Sequence, residues 1–245
     1  MKIIDGHMHL GEDLMFLTDD SEEILLKTMD ANGVDALILQ PGIVAKDQKR
    51  AHERIHAFAV KNPGRVHGLT CFSPFIDEAE YLRLVRWTVK ELGFVGVKLH
   101  PYAYCVSPSH PLAEKIFKVA AELDITVMIH TGNGVPNALP SLCLPVAKKY
   151  KDLRIVLAHA GGGMYGAEAT IVAQECPNVF LETSWMPVYE LENAIKKIGC
   201  ERVMMGSDLI TNLPGELAKY RALGLTDKQL EWCFEKTARK AYKLN

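Results

Sequence analysis

The sequence predicts an α/β fold, a single-domain (β/α)8 TIM barrel over residues 1–245. Eight short apolar runs alternate with longer amphipathic stretches at a spacing of about 25–35 residues, as expected of repeated strand–helix units. The runs are rich in β-branched residues and lack polar alternation, which is typical of parallel strands buried on both faces. No linker rich in proline, glycine or serine divides the chain, and its length is common for a single barrel.

The predicted strands, in order, are Lys2–His9, Asp35–Gln40, Val66–Phe72, Val95–His100, Thr126–His130, Ile155–His159, Val179–Glu182 and Val203–Gly206. Helical spacing of apolar residues predicts helices over Ser21–Asn32, Glu78–Leu92, Pro111–Leu123 and Asp227–Leu244. Ser21 is a suitable N-cap for the first of these helices. An open doubly wound sheet is the alternative architecture, but no G-x-G-x-x-G pattern follows the first strand.

Composition narrows the function classes. A net charge of −2 with scattered basic residues gives no electrostatic footprint for nucleic acid or anionic lipid. The six cysteines form no C-x-x-C pair, which suits a reducing compartment. No apolar run approaches the ~18–20 residues that span a bilayer, and the N-terminus does not resemble a signal peptide. We therefore expect a cytoplasmic protein that acts on a small molecule, with no membrane or nucleic-acid partner.

The first strand ends in the segment Asp5–His9, which carries two histidines. Residues two apart on a strand point to the same face, so His7 and His9 present two imidazoles side by side. Neutral imidazole nitrogen is the commonest protein ligand for transition metals. The pair therefore indicates a divalent metal site, and a chance surface pair is the alternative.

Later strands also end in residues with reactive side chains. In such barrels the catalytic groups stand at the carboxyl ends of the strands. The ends of the fourth, fifth, sixth and eighth predicted strands supply Lys98, His100, His130, His159 and Asp208. The remaining histidines are predicted to be structural or solvent-exposed, and they are His52, His56, His67 and His110. Gly161–Gly163 after the sixth strand either binds an anion at a helix N-terminus or makes a tight turn.

Five motifs, in this order, resemble those of the amidohydrolase superfamily. They are Asp-Gly-His-Met-His at 5–9, Gly-Val-Lys-Leu-His-Pro at 96–101, His-Thr-Gly at 130–132, His-Ala-Gly-Gly at 159–162 and Gly-Ser-Asp at 206–208. They are most similar to the branch of amidohydrolase-related hydrolases and metal-dependent decarboxylases. The resemblance implies a distorted (β/α)8 barrel with one divalent metal ion at its mouth, or two.

The resemblance also implies roles for individual residues. It makes His7, His9, His130 and Asp208 the metal ligands. It makes His159 an acid/base or substrate-polarising residue, or a ligand in the manner of two-metal relatives. Three imidazoles, a carboxylate and a water suit Zn²⁺, with Mn²⁺ or another divalent ion as the alternative.

Lys98 and His100 have more than one interpretation. In two-metal members a carboxylated lysine on the fourth strand bridges the ions, and Lys98 lies on that strand. His100 faces the same way two residues later, so strand register decides which side chain reaches the metal. Alternatively, one of them contacts a substrate carboxylate, or Lys98 pairs with an acidic neighbour in the barrel floor.

Aromatic residues near the strand ends predict the substrate pocket. Tyr102 and Tyr104 fall in the loop after the fourth strand and Trp185 follows the seventh, so we expect them to contact substrate. Phe16 is a further candidate of this kind. Glu182 is predicted to be either an acid/base group or a buried, hydrogen-bonded carboxylate. Core packing is the favoured role for the neighbouring methionine at position 186.

The expected activity is metal-dependent hydrolysis of a lactone, amide or ester, with Asp208 as general base and His159 as oxyanion donor. The alternative is non-oxidative decarboxylation of a small aromatic or enoic acid, and a non-catalytic metal-binding barrel is a third reading. Hydrolysis is favoured because only 8% of the chain is aromatic and no arginine ends a strand. Short loops predict a site open to water, which is either shallow or completed by a neighbouring subunit, and we expect a homo-oligomer such as a dimer.

Overall fold

Nine strands form a sheet in the computed structural model, which describes residues 1–13, 18–42, 45–132 and 134–245. The strands are β1 Ile4–Asp13, β2 Thr18–Asp20, β3 Ala36–Pro41, β4 Val66–Thr70, β5 Gly96–Leu99, β6 Thr126–His130, β7 Ile155–Ala158, β8 Val179–Glu182 and β9 Val203–Met204. Their spatial order is β2-β1-β3-β4-β5-β6-β7-β8-β9. All pairings are parallel except that of β2, which forms an antiparallel hairpin with β1.

The sheet curls until its last strand meets its first. The backbone N–H of Gly6 donates to the carbonyl of Met205 (2.9 Å), and the N–H of Asp208 donates to the carbonyl of His7 (2.8 Å). An isolated parallel bridge also joins Met8 to Asp208. The eight parallel strands therefore make the predicted (β/α)8 barrel, which confirms the fold class.

Helices cover the outside of the sheet. They are α1 Glu22–Asn32, α2 Gln48–Lys61, α3 Glu78–Lys90, α4 Pro101–Tyr104, α5 Glu114–Leu123, α6 Leu144–Lys149, α7 Gly166–Glu175, α8 Val188–Ile198, α9 Leu213–Ala222, α10 Asp227–Glu231 and α11 Thr237–Tyr242. The predicted cap is present, since Ser21 Oγ accepts the N–H of Ile24 at 3.3 Å. No helix in the described part of the chain is both long enough and apolar enough to cross a bilayer.

Three predicted elements differ from the structure. The first strand begins two residues later than predicted and continues to Asp13, because its end pairs with β2. The segment after β5 is a short helix rather than a loop. The predicted C-terminal helix is interrupted by a π-helical turn, Trp232–Lys236. In that turn the Cys233 carbonyl accepts the N–H of Met205 (3.0 Å), which ties the turn to the barrel.

The core has two layers, one on each face of the strands. The larger layer packs the outer faces of the strands against the helices. The smaller one fills the barrel, where Met128, Val156 and Phe180 pack near Tyr242 of α11. Inward-facing residues recur every second position along a strand. The positions two residues beyond Met128 and Phe180 are therefore inward-facing too, and they are His130 and Glu182 at the barrel mouth.

His52 lies behind the sheet rather than at the mouth. It is fully buried on α2 and stacks on Phe72, with ring centroids 4.2 Å apart. Its Nδ1 lies 2.5 Å from the Gln48 carbonyl, and its Nε2 accepts the N–H of Cys71 at 2.8 Å. Burial lowers its pKa from 6.5 to about 4. This histidine is structural, as predicted.

Candidate metal centre

Three side chains from the two ends of the barrel sheet converge at its mouth. His7 and His9 come from β1, and Asp208 follows β9 at the point where the sheet closes. Asp208 Oδ1 lies 3.3 Å from the Nε2 atom of each histidine. The three ligand atoms lie within 4.8 Å of one another, and all three residues are buried. We call these three residues the cluster.

The hydrogen bonds behind the cluster fix which ring nitrogens face it. His7 Nδ1 lies 2.8 Å from Glu182 Oε2, and His9 Nδ1 lies 3.2 Å from the Pro41 carbonyl. Both partners can only accept, so each Nδ1 carries the proton and each Nε2 keeps its lone pair. Two lone pairs and a carboxylate oxygen therefore point at one another. Such a set of acceptors is suited to a cation between them, and it fits a divalent metal.

Two donors lie against the same lone pairs. Lys98 Nζ is 3.1 Å from His7 Nε2, and the Gln40 side-chain amide is 3.0 Å from His9 Nε2. Both contacts agree with the tautomers assigned above, because a donor needs an acceptor opposite it. Gln40 is the last residue of the predicted second strand, but its amide side chain did not indicate from sequence alone that it would contact His9.

The register of β5 decides which of the two side chains, Lys98 or His100, reaches the cluster. Lys98 points inward, where Nζ contacts His7 Nε2 and lies 3.4 Å from Met128 Sδ. Burial lowers its pKa from 10.5 to about 8. His100 lies past the strand end, and its Nδ1 accepts the N–H of Ala103 at 3.2 Å. Lys98 therefore reaches the cluster, whereas His100 lies beside it.

A row of imidazoles flanks the cluster. The rings of His100 and His130 are stacked with centroids 4.4 Å apart, and His130 Nδ1 lies 3.0 Å from His159 Nε2. His159 Nδ1 in turn lies 2.8 Å from Ser184 Oγ. His130 Nε2 is buried and has no hydrogen-bond partner among the described residues. His130 is thus separate from the three-atom cluster but has a ring nitrogen available to a ligand or metal.

Burial keeps these side chains in forms that suit a cation. It lowers the pKa of His7, His100 and His130 well below the ordinary value, and that of His159 to about 3. Burial acts in the opposite sense on Asp208, but interactions with the groups around it outweigh burial and hold the pKa of the carboxyl well below 3.8. The mouth therefore combines neutral imidazoles with an ionised carboxylate.

Glu182 is a buried, fully hydrogen-bonded carboxylate. Besides His7 Nδ1, its Oε2 accepts the backbone N–H of His159 (3.1 Å) and the hydroxyl of Ser184 (3.0 Å). Its Oε1 accepts the N–H of Ser184 at 2.6 Å. A second possible metal group, formed by His7, His159 and Glu182, shares the His7 ring. Of the two predicted roles, the contacts favour that of a carboxylate that orients its neighbours.

Asp5 ties the two closing strands together beneath the cluster. Its Oδ1 accepts the N–H groups of His7 (3.1 Å) and Ser207 (3.0 Å), and its Oδ2 accepts the Ser207 hydroxyl. Burial raises the pKa of this carboxyl to about 7. The contacts couple the backbone of the first-strand ligands to that of Asp208, which follows Ser207 directly.

His159 stands on an unusual turn. Five successive residues, His159 to Gly163, have positive φ angles, and His159 (66°) and Ala160 (45°) have them despite carrying a Cβ. Gly132 packs against this turn so closely that a Cβ there would lie 2.3 Å from the Gly161 carbonyl oxygen. Left-handed residues other than glycine are strained and concentrate at functional sites. The glycine-rich segment is thus the tight turn that presents His159.

Aromatic side chains surround the opening. Tyr102 is 39% exposed, with its ring centroid 5.8 Å from that of His130, and Trp185 is 38% exposed. The Trp185 indole N–H donates to Asp208 Oδ2 at 2.8 Å. The Tyr104 hydroxyl instead accepts a bond from Gln48 of α2 (3.1 Å). Met186 is buried in the core as predicted, and residue 16 lies outside the described part of the chain.

A family model described as amidohydrolase matches residues 4–244. No significant match is found among curated protein sequences.

Solved structures share the fold over nearly the whole chain. The chain is similar to a manganese-containing 5-carboxyvanillate decarboxylase from Novosphingobium aromaticivorans (TM-score 0.79, 17% identity, 99% of this chain and 96% of the other). It is similar to a dihydroxybenzoic acid decarboxylase from Polaromonas with manganese and 2-nitroresorcinol bound (TM-score 0.76, 19% identity, 100% of this chain and 97% of the other). It is also similar to a 4-oxalomesaconate hydratase from Rhodopseudomonas palustris (TM-score 0.75, 19% identity, 98% of this chain and 95% of the other).

Proposed function

Because the chain belongs to the amidohydrolase family, we propose that it is a metal-dependent enzyme that removes CO₂ from a small aromatic acid without oxidation. Hydrolysis is the reaction that the sequence favours, and decarboxylation is its alternative. The comparisons support the alternative better, because the similar solved structures include decarboxylases of hydroxylated aromatic acids. At 17–19% identity these structures share the fold with this chain, and its own residues must account for the chemistry.

The cluster would hold the metal. His7 Nε2, His9 Nε2 and Asp208 Oδ1 converge as acceptors, and the unpartnered Nε2 of His130 would supply a further ligand. Nitrogen and oxygen donors of this kind accept Mn²⁺ as well as Zn²⁺. We favour Mn²⁺ because two of the similar structures contain manganese. When bound, the ion would chelate oxygen atoms of the acid and withdraw electron density from them.

The observation that carries the proposal is the buried amino group of Lys98, whose Nζ lies 3.1 Å from His7 Nε2 at the edge of the cluster. Burial lowers its pKa to about 8, which is still above neutral pH, and it also lowers the pKa of the neighbouring imidazoles. A carboxylate that enters such a pocket needs a positive partner, since an unpaired buried charge is costly. A neutral amide or ester has no such requirement. Tyr102 and Trp185 at the opening would pack against the ring of the acid.

The reaction requires a proton to be delivered to carbon. The bond between the ring carbon and the carboxyl carbon breaks, its electron pair stays on the ring carbon, and CO₂ leaves. A proton then replaces CO₂ on that carbon, so no oxidant or reductant is needed. The hydroxyl group of a hydroxylated acid can supply this proton, and we propose that Asp208, with His159 beside it, carries the proton to the ring carbon. The product hydroxyl regains a proton from water on release. Ser184 orients His159 for this role through its contact with Nδ1.

The test is a substrate screen with purified protein loaded with Mn²⁺. Dihydroxybenzoates and 5-carboxyvanillate form one panel, and lactones and simple amides form the other. We expect CO₂ release from a member of the first panel, abolished by a chelator and in Asp208→Asn. Lys98→Met should retain metal while its KM for the acid rises. Turnover of a lactone or amide with no CO₂ from any acid would overturn the proposal in favour of hydrolysis.

A further inference from the structure

An ion pair between buried Glu216 and partly buried Lys219 lies on α9, outside the cluster. Glu216 is only 6% exposed, and its Oε2 is 2.5 Å from Nζ of Lys219, one helical turn later. Removing two charges from water costs free energy, which is offset only when both charges also make further hydrogen bonds. In the described part of the chain, the further hydrogen bonds of these two side chains go to one segment, the loop 183–186 after β8.

Each member of the pair fastens a different point of that loop. Glu216 Oε1 accepts the backbone N–H of Trp185 at 3.0 Å. Lys219 Nζ donates to the carbonyls of Thr183 (3.2 Å) and Met186 (2.8 Å). The backbone on both sides of Trp185, and that of Trp185 itself, is therefore held by α9.

Trp185 occupies a conformation that needs such support. Its φ is 66°, in the left-handed region that residues with a Cβ rarely adopt. From this backbone the indole reaches the cluster, where Nε1–H donates to Asp208 Oδ2 at 2.8 Å. Asp208 Oδ1 therefore lies in the cluster, 3.3 Å from each histidine Nε2, while the indole holds Oδ2.

We infer that Glu216 and Lys219 are positioning residues that hold Trp185 in place so that its indole restricts Asp208 to a single free oxygen. A carboxylate held through one oxygen leaves room at a metal for the two oxygens of a chelating acid. This inference rests on the proposed metal site, and it assigns Trp185 a role beyond lining the pocket. Loss of Glu216 should therefore act on Asp208 only through the indole.

The first arm of the test uses metal-free protein and tryptophan fluorescence, so it requires no substrate. Glu216→Ala should shift the emission to longer wavelength, because the indole leaves Asp208 and becomes more exposed to water. The same substitution in a Trp185→Phe background should cause no shift, which assigns the signal among the three tryptophans. Glu216→Gln keeps an acceptor for the Trp185 N–H and should retain most of the native emission. Arg221→Ala, an exposed change on the same helix, is the matched control.

The second arm is a double-mutant cycle on the Kd for Mn²⁺. Changes to residues that orient metal ligands weaken binding by about 10–100-fold. We expect Glu216→Ala and Trp185→Phe each to weaken Mn²⁺ binding, and the double variant to bind no worse than Trp185→Phe alone. Additive losses, or native emission in Glu216→Ala, would overturn the inference. Failure of every acid to turn over would instead count against the proposed reaction, since neither arm measures turnover.

Discussion

Replacement of Glu182 by glutamine tests how the site selects the ring nitrogens that face the metal. Four donors converge on this carboxylate, and they come from His7, His159 and, twice, Ser184. Glutamine keeps the size of the side chain but has one oxygen and adds an amide group with two donors. In either amide orientation at least one buried donor therefore faces another donor.

The expected magnitude follows from those contacts. A buried donor left without a partner costs about 1–3 kcal/mol, and the metal-free Glu182→Gln protein should lose stability of that order. The His7 Nδ1–H would also lose its carboxylate acceptor, and even with the amide oxygen in the Oε2 position it would donate to a weaker, uncharged acceptor. Changes of this kind to metal sites weaken binding by about 10–100-fold, which corresponds to about 1.4–2.7 kcal/mol.

Isothermal titration of Mn²⁺ into metal-free protein measures the Kd, and chemical denaturation measures the free energy of unfolding. Glu192→Gln is the control, because Glu192 is an exposed partner of Lys196 on α8. It should leave both quantities unchanged. If Glu182→Gln bound Mn²⁺ as tightly as the native protein, the contact with His7 would not control which nitrogen faces the metal, and the reasoning would fail.

Three further predictions concern single positions. The folded-state pKa of His52 is about 4 against 6.5 unfolded, so the unfolded chain binds more protons between these values and stability falls as the pH drops through that window. His52 should account for about 2 kcal/mol of the unfolding free energy that is lost between pH 7 and pH 5. In chemical denaturation, His52→Gln should therefore lose about 2 kcal/mol less over this pH range than the native protein. The control His110→Gln, at an exposed position, should lose as much as the native protein. His159→Asn should keep normal Mn²⁺ content by metal analysis while kcat falls at least about 100-fold; lost metal would make His159 a ligand. Gly132→Ala should lose about 3 kcal/mol or more in thermal or chemical unfolding, because its Cβ would lie 2.3 Å from a carbonyl oxygen of the glycine-rich turn. Gly134→Ala, which also has positive φ but open space, should lose distinctly less, and equal losses would refute the steric argument.

The barrel was predictable because its strands carry a strong local signal. β6 and β7 are buried at every position, so their sequences are continuous apolar runs ending at His130 and His159. The hairpin strand β2 and the π-helical turn at Trp232–Lys236 were not predictable in this way. Each depends on a partner elsewhere in the chain, such as the Met205 N–H that donates to the Cys233 carbonyl.

The cluster could be anticipated from strand ends, but its supporting contacts could not. His7, His9 and Asp208 carry chemistry that a sequence motif reveals. Gln40 and Glu216 are ordinary polar residues, and their roles arise from the closing of the barrel and the packing of α9. Each lies more than 20 residues from the side chain it orients, so no local pattern links the pair.

Composition favours hydrolysis and the pocket favours decarboxylation, because composition is an average over the chain whereas a pocket depends on the positions of a few side chains. An aromatic fraction of 8% argued against a slot for an aromatic acid, yet Tyr102 and Trp185 both lie at the opening. The lack of an arginine at a strand end argued against a carboxylate partner. Arginine is the better planar clamp, but it would bring a bulky fixed charge against the ligand His7. Lys98 offers a compact ammonium that fits between His7 Nε2 and Met128 Sδ. A site that must hold an acid close to its metal ligands therefore has more room beside that lysine than beside an arginine.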